Sequence, residues 1–347
     1  MQQAQVHVAI PVRGVGRWLN EALRSLQQQT FTDWQATVVV DSSADENDPS
    51  AAIAQRWAQE EPRIRILQPG RVGLPEALNI ATRGAADAPL LARLDGDDLC
   101  HPERFSEQVA FLEANLDVGI LDCRAESFRA PEDGPLPLGM LRYQQWHDRI
   151  ENHEDFKREF LVENPVCHPA VMMRSEVLAL LDDPRAPYRA NDCPEDYDLW
   201  LRLLRCGVRF HKLPRALLRW RDHDRRSTRT NDIYKKAAFF RAKWEHFEHR
   251  VLAQAGSIAV CGGGREGRRW IRALAEAGRL PVAVADINQK AIGSTRHGAP
   301  VVALEQLSRY QPDLALIAVG TAGARTAIEG VLRNMKIRYL AVAGIVD

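Results

Sequence analysis

Residues 89–99 read Pro-Leu-Leu-Ala-Arg-Leu-Asp-Gly-Asp-Asp-Leu, an apolar run that ends in three acidic side chains. The apolar part is typical of a buried strand, and the acids Asp95, Asp97 and Asp98 follow it directly. Three carboxylates at one strand end repel each other, and a bound divalent cation relieves that repulsion. Because all-oxygen ligands suit hard cations, the stretch predicts a site for Mg²⁺ or Mn²⁺. A solvated acidic turn is the alternative interpretation.

The chain before this stretch alternates short apolar runs with helical patterns. The apolar runs predict three strands, at 6–10, 35–40 and 64–67. Apolar residues at helical spacing predict helices around 19–26 and 74–82. Such alternation is typical of an α/β fold with a mostly parallel sheet covered by helices. Ligands of such sheets bind outside the carboxyl ends of the strands, where Asp41 and Asp97 would both lie.

Composition limits the classes of function. A chain of 347 residues favours two domains, and its 46 basic and 46 acidic side chains give no net charge, so no nucleic-acid partner is expected. Six cysteines are scattered without metal-ligand spacing or a preceding secretory signal, which indicates reduced thiols and a cytoplasmic location. No apolar run reaches the roughly 20 residues of a membrane span. Any membrane association is therefore expected to be peripheral, at the inner face.

Four ordered motifs over about residues 5–245 resemble family 2 glycosyltransferases of the GT-A fold, the nucleotide-diphospho-sugar transferase fold. They are Ala9-Ile-Pro-Val12, Val38-Val-Val-Asp-Ser-Ser-Ala-Asp45, Gly73-Leu-Pro-Glu-Ala-Leu-Asn79 and Ala92-Arg-Leu-Asp-Gly-Asp-Asp98. The resemblance implies a nucleotide-sugar donor, a divalent metal, and inversion at the sugar carbon by direct displacement. The second motif departs from the family's usual Asp-Asp-Gly-Ser and keeps one acid, Asp41, at a position that usually contacts the uracil of a UDP donor.

The resemblance also implies roles for single residues. Asp97 would ligate the metal that bridges the diphosphate, and Asp95 would contact the ribose or a water. Arg71 could hold a phosphate oxygen through its planar guanidinium, although a solvated surface arginine is an equal alternative. The candidate donor-binding residues of the first half of the chain are Pro11, Asp41, Arg71, Asn79 and Asp95.

A second acidic run, Pro194-Glu-Asp-Tyr-Asp-Leu-Trp200, predicts the start of a helix, where the helix dipole favours carboxylates. Ordinary helix chemistry could therefore explain it. The run also resembles the acidic motif of the family, in which the second acid accepts the proton of the acceptor hydroxyl. By this resemblance Asp196 is the candidate general base, and Glu195 would orient or bind the acceptor.

Residues 219–227, Arg-Trp-Arg-Asp-His-Asp-Arg-Arg-Ser, resemble a mobile segment that closes over the donor in many members of the family. The resemblance implies that His223 completes the metal or diphosphate site and that Arg219 or Arg226 stabilises phosphate charge. A solvated cationic loop is the alternative interpretation.

The remainder of the chain predicts a second domain. An amphipathic helix is expected between the two, and the predicted boundaries are 1–232 for the GT-A domain, 233–255 for the linker helix and 256–347 for a small Rossmann-like domain. Here Gly262, Gly264 and Gly267 lie between a strand and a helix, and Asp286 follows the next strand, as in a dinucleotide fingerprint. NAD(P) or another nucleotide is therefore a candidate ligand, and close helix–strand packing is the alternative.

Three functions remain open from the sequence. The first is a metal-dependent inverting glycosyltransferase that moves a sugar from a nucleotide-diphosphate donor, expected to be a UDP-sugar, to a glycan or lipid-linked acceptor in bacterial surface polysaccharide synthesis. The second is an NAD(P)-dependent oxidoreductase using the C-terminal domain, which lacks an evident Tyr-x-x-x-Lys. The third is a non-catalytic nucleotide-sugar sensor, against which the intact acids Asp95, Asp97 and Asp196 argue.

Overall fold

The computed structural model describes residues 4–41, 47–84, 88–321 and 323–344. The chain forms two compact units. The first comprises Met1–Phe156 and Val166–Ala242, and the second comprises Lys157–Pro165 and Lys243–Asp347. The domain boundaries at 232 and 255 stay predictions. Among the described residues, no helix combines the length and the apolar composition needed to cross a membrane.

The first unit is built on a sheet that, among the described residues, has eight strands. The strands are β1 (Val6–Val12), β2 (Trp34–Asp41), β3 (Ile64–Gly70), β4 (Leu90–Arg93), β5 (Leu99–Cys100), β6 (Val118–Phe128), β7 (Met172–Arg174) and β8 (Arg209–Arg221). Their order is β3-β2-β1-β4-β7-β6-β8-β5. The neighbours among β1–β4 are parallel, as are β6 and β8, whereas β7 and β5 run antiparallel to their neighbours. The predicted mostly parallel α/β sheet is confirmed.

Helices accompany this sheet along the chain. They are α1 (Gly16–Gln27), α2 (Ser50–Glu60), α3 (Leu74–Arg83), α4 (Arg104–Ala114), α5 (Leu138–His147), α6 (His153–Glu159), α7 (Glu195–Arg205), α8 (Ser227–Thr230) and α9 (Lys236–Phe247). The apolar face of α1 carries Leu19 and Leu23, which join Val8 and Ile10 of β1 in the main core. The apolar spacing that predicted α1 therefore reflects residues that are buried in the core.

Two elements differ from the sequence prediction. β6 continues to Phe128, well past the apolar run at 118–121, because its second half alternates buried residues with polar ones. Arg219 also lies inside β8 and pairs with Leu99 of β5, so the predicted closing segment begins as a strand. Tertiary pairing extends both strands where local composition is too polar to indicate them.

The second unit contains a sheet of mostly parallel strands in the order β11-β12-β10-β9-β13-β14, with β11 antiparallel. Its elements are β9 (Ile258–Cys261), α10 (Arg265–Glu276), β10 (Ala283–Ala285), β11 (Thr295–Arg296), β12 (Ala299–Val302), β13 (Leu314–Ile317), α11 (Ala324–Asn334) and β14 (Tyr339–Ala341). The alternation of strand and helix around β9 is Rossmann-like.

The glycines between β9 and α10 are not equivalent. A Cβ on Gly267 would lie 1.7 Å from the Gly262 carbonyl oxygen, whereas a Cβ on Gly264 would meet no atom within 4 Å. Gly267 is therefore required for close packing of the helix on the loop, and Gly264 is not.

We expect Gly267→Ala to lower the free energy of unfolding by about 1–3 kcal/mol, because the new methyl group meets backbone that cannot rotate away. Gly264→Ala is the matched control and should cost less than about 1 kcal/mol. Scanning calorimetry measures both, and equal destabilisation by the two variants would contradict the packing role of Gly267.

Candidate functional site

The turn after β4 brings three carboxylates together. Candidate ligand atoms of Asp95, Asp97 and Asp98 lie within 4.8 Å of one another. Burial and the neighbouring carboxylates raise the pKa of Asp98 well above its ordinary value, and burial raises the pKa of Asp95 although Arg93 opposes the shift. Within the described part of the chain, the buried Oδ2 of Asp98 has no hydrogen-bond partner. A divalent cation would satisfy that oxygen and offset the repulsion, so these residues fit a metal.

His223 reaches the same turn from the segment that follows β8. Its Nε2 lies 2.8 Å from Oδ2 of Asp97. The imidazole is buried, and its ring centroid lies 4.2 Å from that of Trp18 on α1. The structure thus brings together Asp97 and His223, the two residues predicted to hold the metal.

Arg221, at the end of β8, fixes the acidic turn from the other side, and sequence reasoning missed it. Its backbone N–H donates to Oδ1 of Asp98 at 2.7 Å, and its Nε donates to the Asp97 carbonyl at 2.8 Å. Its Nη2 donates to Glu21 of α1 at 2.7 Å. Extending the apolar run Leu217-Leu218 into a strand was the available signal, since it places Arg221 at a strand end.

Among the other predicted donor-binding residues, Asp41 and Pro11 lie on neighbouring strands. Pro11 is buried within β1, and Asp41 ends β2. Oδ1 of Asp41 accepts a hydrogen bond from the Val72 backbone at 2.8 Å, so this acid supports the loop that carries the exposed Arg71. The rest of that motif, residues 42–45, lies outside the described residues.

Asn79 and Arg219 make side-chain contacts with residues other than the three acids of the turn. The buried Asn79 amide donates to the Tyr188 carbonyl and accepts from the Tyr188 N–H, both at 2.9 Å. The half-exposed Arg219 lies over the Phe128 ring at 4.3 Å and 3.9 Å from a carboxylate oxygen of Glu126. Their predicted roles at the donor stay predictions.

Arg226 is placed by two neighbours. Its guanidinium lies over the Trp220 ring at 4.3 Å, and its Nη1 lies 3.6 Å from Oδ1 of Asp222. The positive charge of Arg226 lowers the pKa of both Asp95 and Asp98 against the effect of burial. Its charge therefore acts on the acidic turn, and its predicted role in binding phosphate stays a prediction.

Two further acids, Glu195 and Asp196, begin α7. Glu195 is only 3% exposed and accepts a hydrogen bond from the Tyr234 hydroxyl at 2.8 Å. Burial, reinforced by the charge of Asp196, raises the pKa of Glu195 to about 8. Asp196 is half-buried and accepts from the Tyr197 backbone at 2.7 Å. The charge of Arg93 lowers the pKa of both Glu195 and Asp95 against the effect of burial.

In the second unit, the side chain of Asp286, the acid of the predicted fingerprint, points to the glycine loop. Oδ2 of Asp286 accepts from the Gly263 N–H at 2.9 Å, and Oδ1 accepts from the Asn288 N–H at 3.0 Å. In a dinucleotide site this acid would bond the ribose hydroxyls. Nucleotide binding by Gly262, Gly264, Gly267 and Asp286 stays a prediction.

Known proteins resemble this chain. The amylovoran biosynthesis glycosyltransferase AmsE of Erwinia amylovora is 29% identical over 203 residues, which are 58% of this chain and 70% of AmsE. The O-antigen biosynthesis glycosyltransferase WbnJ of Escherichia coli is 23% identical over 239 residues, 68% of this chain and 86% of WbnJ. Both relatives match over more than half of this chain.

A solved structure shares the fold. It is TarS 1–349 of S. aureus in complex with UDP-GlcNAc, with a TM-score of 0.53 and 16% identity over 78% of this chain and 80% of that one. This likeness confirms the predicted GT-A fold class. The model of the family described as glycosyl transferase family 2 matches residues 7–181, half of the chain. The chain is therefore a glycosyltransferase enzyme and belongs to glycosyl transferase family 2.

Proposed function

We propose that this enzyme moves a sugar from a nucleotide-diphosphate donor, a UDP-sugar, to a hydroxyl of a glycan or lipid-linked acceptor in bacterial surface polysaccharide synthesis, with inversion. The observation that carries the proposal is the meeting of Asp95, Asp97, Asp98 and His223 at one strand end. Relatives named for amylovoran and O-antigen biosynthesis support the product class. Such an acceptor would place the enzyme in the cytoplasm, in peripheral contact with the inner face of the membrane.

Asp97 and His223 would hold Mg²⁺ or Mn²⁺, with Asp95 and Asp98 completing the acidic shell. The cation would stabilise the negative charge that develops on the departing nucleotide diphosphate. Arg226, coupled to this turn, and the exposed Arg71 would bind phosphate oxygens. In this proposal the acidic turn and its cations together recognise the diphosphate.

Asp196 would be the general base. It would accept the proton of the acceptor hydroxyl as that oxygen bonds to the anomeric carbon and the bond to the diphosphate oxygen breaks on the opposite face, which inverts the configuration. Glu195, whose pKa of about 8 keeps it protonated at neutral pH, would orient the acceptor without adding a second negative charge beside Asp196. Tyr234 holds this carboxyl by its hydroxyl.

We expect Asp97→Asn to abolish Mn²⁺-dependent donor binding, because the neutral amide lacks the negative charge with which the carboxylate attracts a hard cation. Isothermal titration with UDP-, GDP-, dTDP- and CMP-sugars, with and without Mn²⁺, measures this. Asp117→Asn, at an exposed acid that pairs with Arg209, is the matched control. Binding of NAD(H) alone, unchanged in Asp97→Asn, would overturn the proposed function.

Asp196→Asn should keep donor affinity and slow sugar transfer by about 10²- to 10⁴-fold, because it removes only the proton acceptor. Donor titration and a transfer assay on the same preparation separate the two effects. A loss of donor affinity as large as the loss of rate would instead place Asp196 at the donor.

The raised pKa of Glu195 predicts a pH-dependent stability. Between the ordinary glutamate pKa near 4.5 and the folded value of about 8, the unfolded chain releases this proton and the folded chain keeps it, so stability falls as pH rises. Glu195→Gln removes this dependence and should raise the melting temperature relative to wild type at pH 8 more than at pH 4.5. Glu60→Gln, at an exposed site, is the control. If the melting temperatures of Glu195→Gln and wild type differ equally at both pH values, the raised pKa of Glu195 is contradicted.

A further inference from the structure

Asp222 lies between the end of β8 and His223, and its carboxylate takes no part in the proposed chemistry. The residue is 1% exposed. Its backbone N–H donates to the Phe128 carbonyl at 2.8 Å, which ties the chain at this point to the end of β6. A buried carboxylate at such a place needs cationic partners.

Three arginines supply them, and we call Arg129, Arg226 and Arg229 the arginine clamp. Nη2 of Arg229 lies 2.8 Å from each oxygen of Asp222. Nε of Arg129 lies 3.2 Å from Oδ2, and Nη1 of Arg226 lies 3.6 Å from Oδ1. Charge-assisted contacts of this kind are short and directional, so they fix geometry as well as neutralise charge.

The positions of the three arginines in the sequence give the clamp its effect. Arg129 directly follows β6, whereas Arg226 and Arg229 come after His223. The carboxylate of Asp222, at the start of residues 222–229, therefore binds Arg229 at the end of the same segment. It also binds Arg129, which fixes the segment to the end of β6. His223 is held inside that segment, at 2.8 Å from Asp97.

We propose that Asp222 is a positioning residue, whose carboxylate holds residues 223–229 so that His223 meets Asp97 and Arg226 keeps its place over Trp220. This inference rests on the proposed function. A competing effect has the opposite sign: if Asp222 only occupied arginines that a diphosphate could use, its removal would strengthen donor binding.

Asp222→Asn should reduce kcat/KM on the order of 10²-fold, mainly through a higher KM for the nucleotide sugar, because His223 and Arg226 lose their fixed positions. Asp224→Asn is the matched control. Asp224 pairs with two of the same arginines, with Arg129 at 2.6 Å and Arg229 at 2.9 Å, but its side chain is 85% exposed. It should stay within about threefold of wild type. Tighter donor binding in Asp222→Asn would overturn the inference.

Limited trypsin digestion of the ligand-free protein gives a readout that needs no donor. Asp222→Asn should be cut after Arg225 or Arg226 about tenfold faster than wild type, because local opening no longer breaks the buried ion pairs. Asp222→Glu should restore part of the protection, since it returns the charge. Cleavage of Asp222→Asn at the wild-type rate would refute the inference even if sugar transfer is observed.

The two assays separate the possible failures. A wild-type protein that binds no nucleotide sugar would refute the proposed function, while the digestion would still show whether Asp222 orders the segment. If Asp222→Asn does not fold, Arg229→Gln takes its place, because it removes the two-oxygen contact from a side chain that is 31% exposed. It should raise the KM and the cleavage rate in the same direction, and unchanged values would overturn the inference.

Discussion

The crowding of three carboxylates at the end of β4 is the constraint on which the site depends. The surrounding protein offsets it from separate elements, with the guanidinium of Arg93 on β4 itself, the backbone N–H of Arg221 at the end of β8 and the charge of Arg226 beyond it. Arg104 of α4 adds support beneath the turn, because this fully buried side chain donates to the carbonyls of Arg93 and Val171 at 2.9 and 3.1 Å. The acidic turn is thus supported by Arg93, Arg104 and Arg221, which are themselves buried.

Asp97, Asp196 and Glu195 illustrate how the surroundings of a carboxyl group can give similar side chains different roles. Asp97 is in contact with an imidazole, Asp196 is half-buried at a helix start, and Glu195 is enclosed with a phenolic hydroxyl. Burial without a cationic partner favours the neutral acid, whereas exposure and neighbouring cations favour the carboxylate. The buried Glu195 accordingly has a raised pKa.

The sequence predicted the features that a regular spacing of apolar residues reveals. The strands that carry Ile10 and Val38, the helix face of Leu19 and Leu23, and the acids at the end of β4 all follow from spacing and from the rule that ligands bind at carboxyl ends of strands. Arg221 and Arg129 were missed because their partners are distant in sequence, and pairing across the sheet leaves no periodic signal. Asp222 was missed although Arg226 and Arg229 are near it in sequence, because spacing does not reveal that its carboxylate is buried. Asn79 lies in a recognisable motif, yet its amide bonds Tyr188, which spacing alone does not reveal.

The hydrogen bond between Asp286 and Gly263 has a consequence for how the second unit could recognise a small molecule. Oδ2 of Asp286 accepts one hydrogen bond from Gly263 and Oδ1 accepts one from Asn288, and each carboxylate oxygen has a second lone pair that a ribose hydroxyl could use. The two loop N–H groups therefore fix the orientation of this carboxylate before a ligand binds, which lowers the ordering cost of recognition. The fingerprint motif is complete in the sequence, and its acid, Asp286, already accepts a hydrogen bond from its own glycine loop.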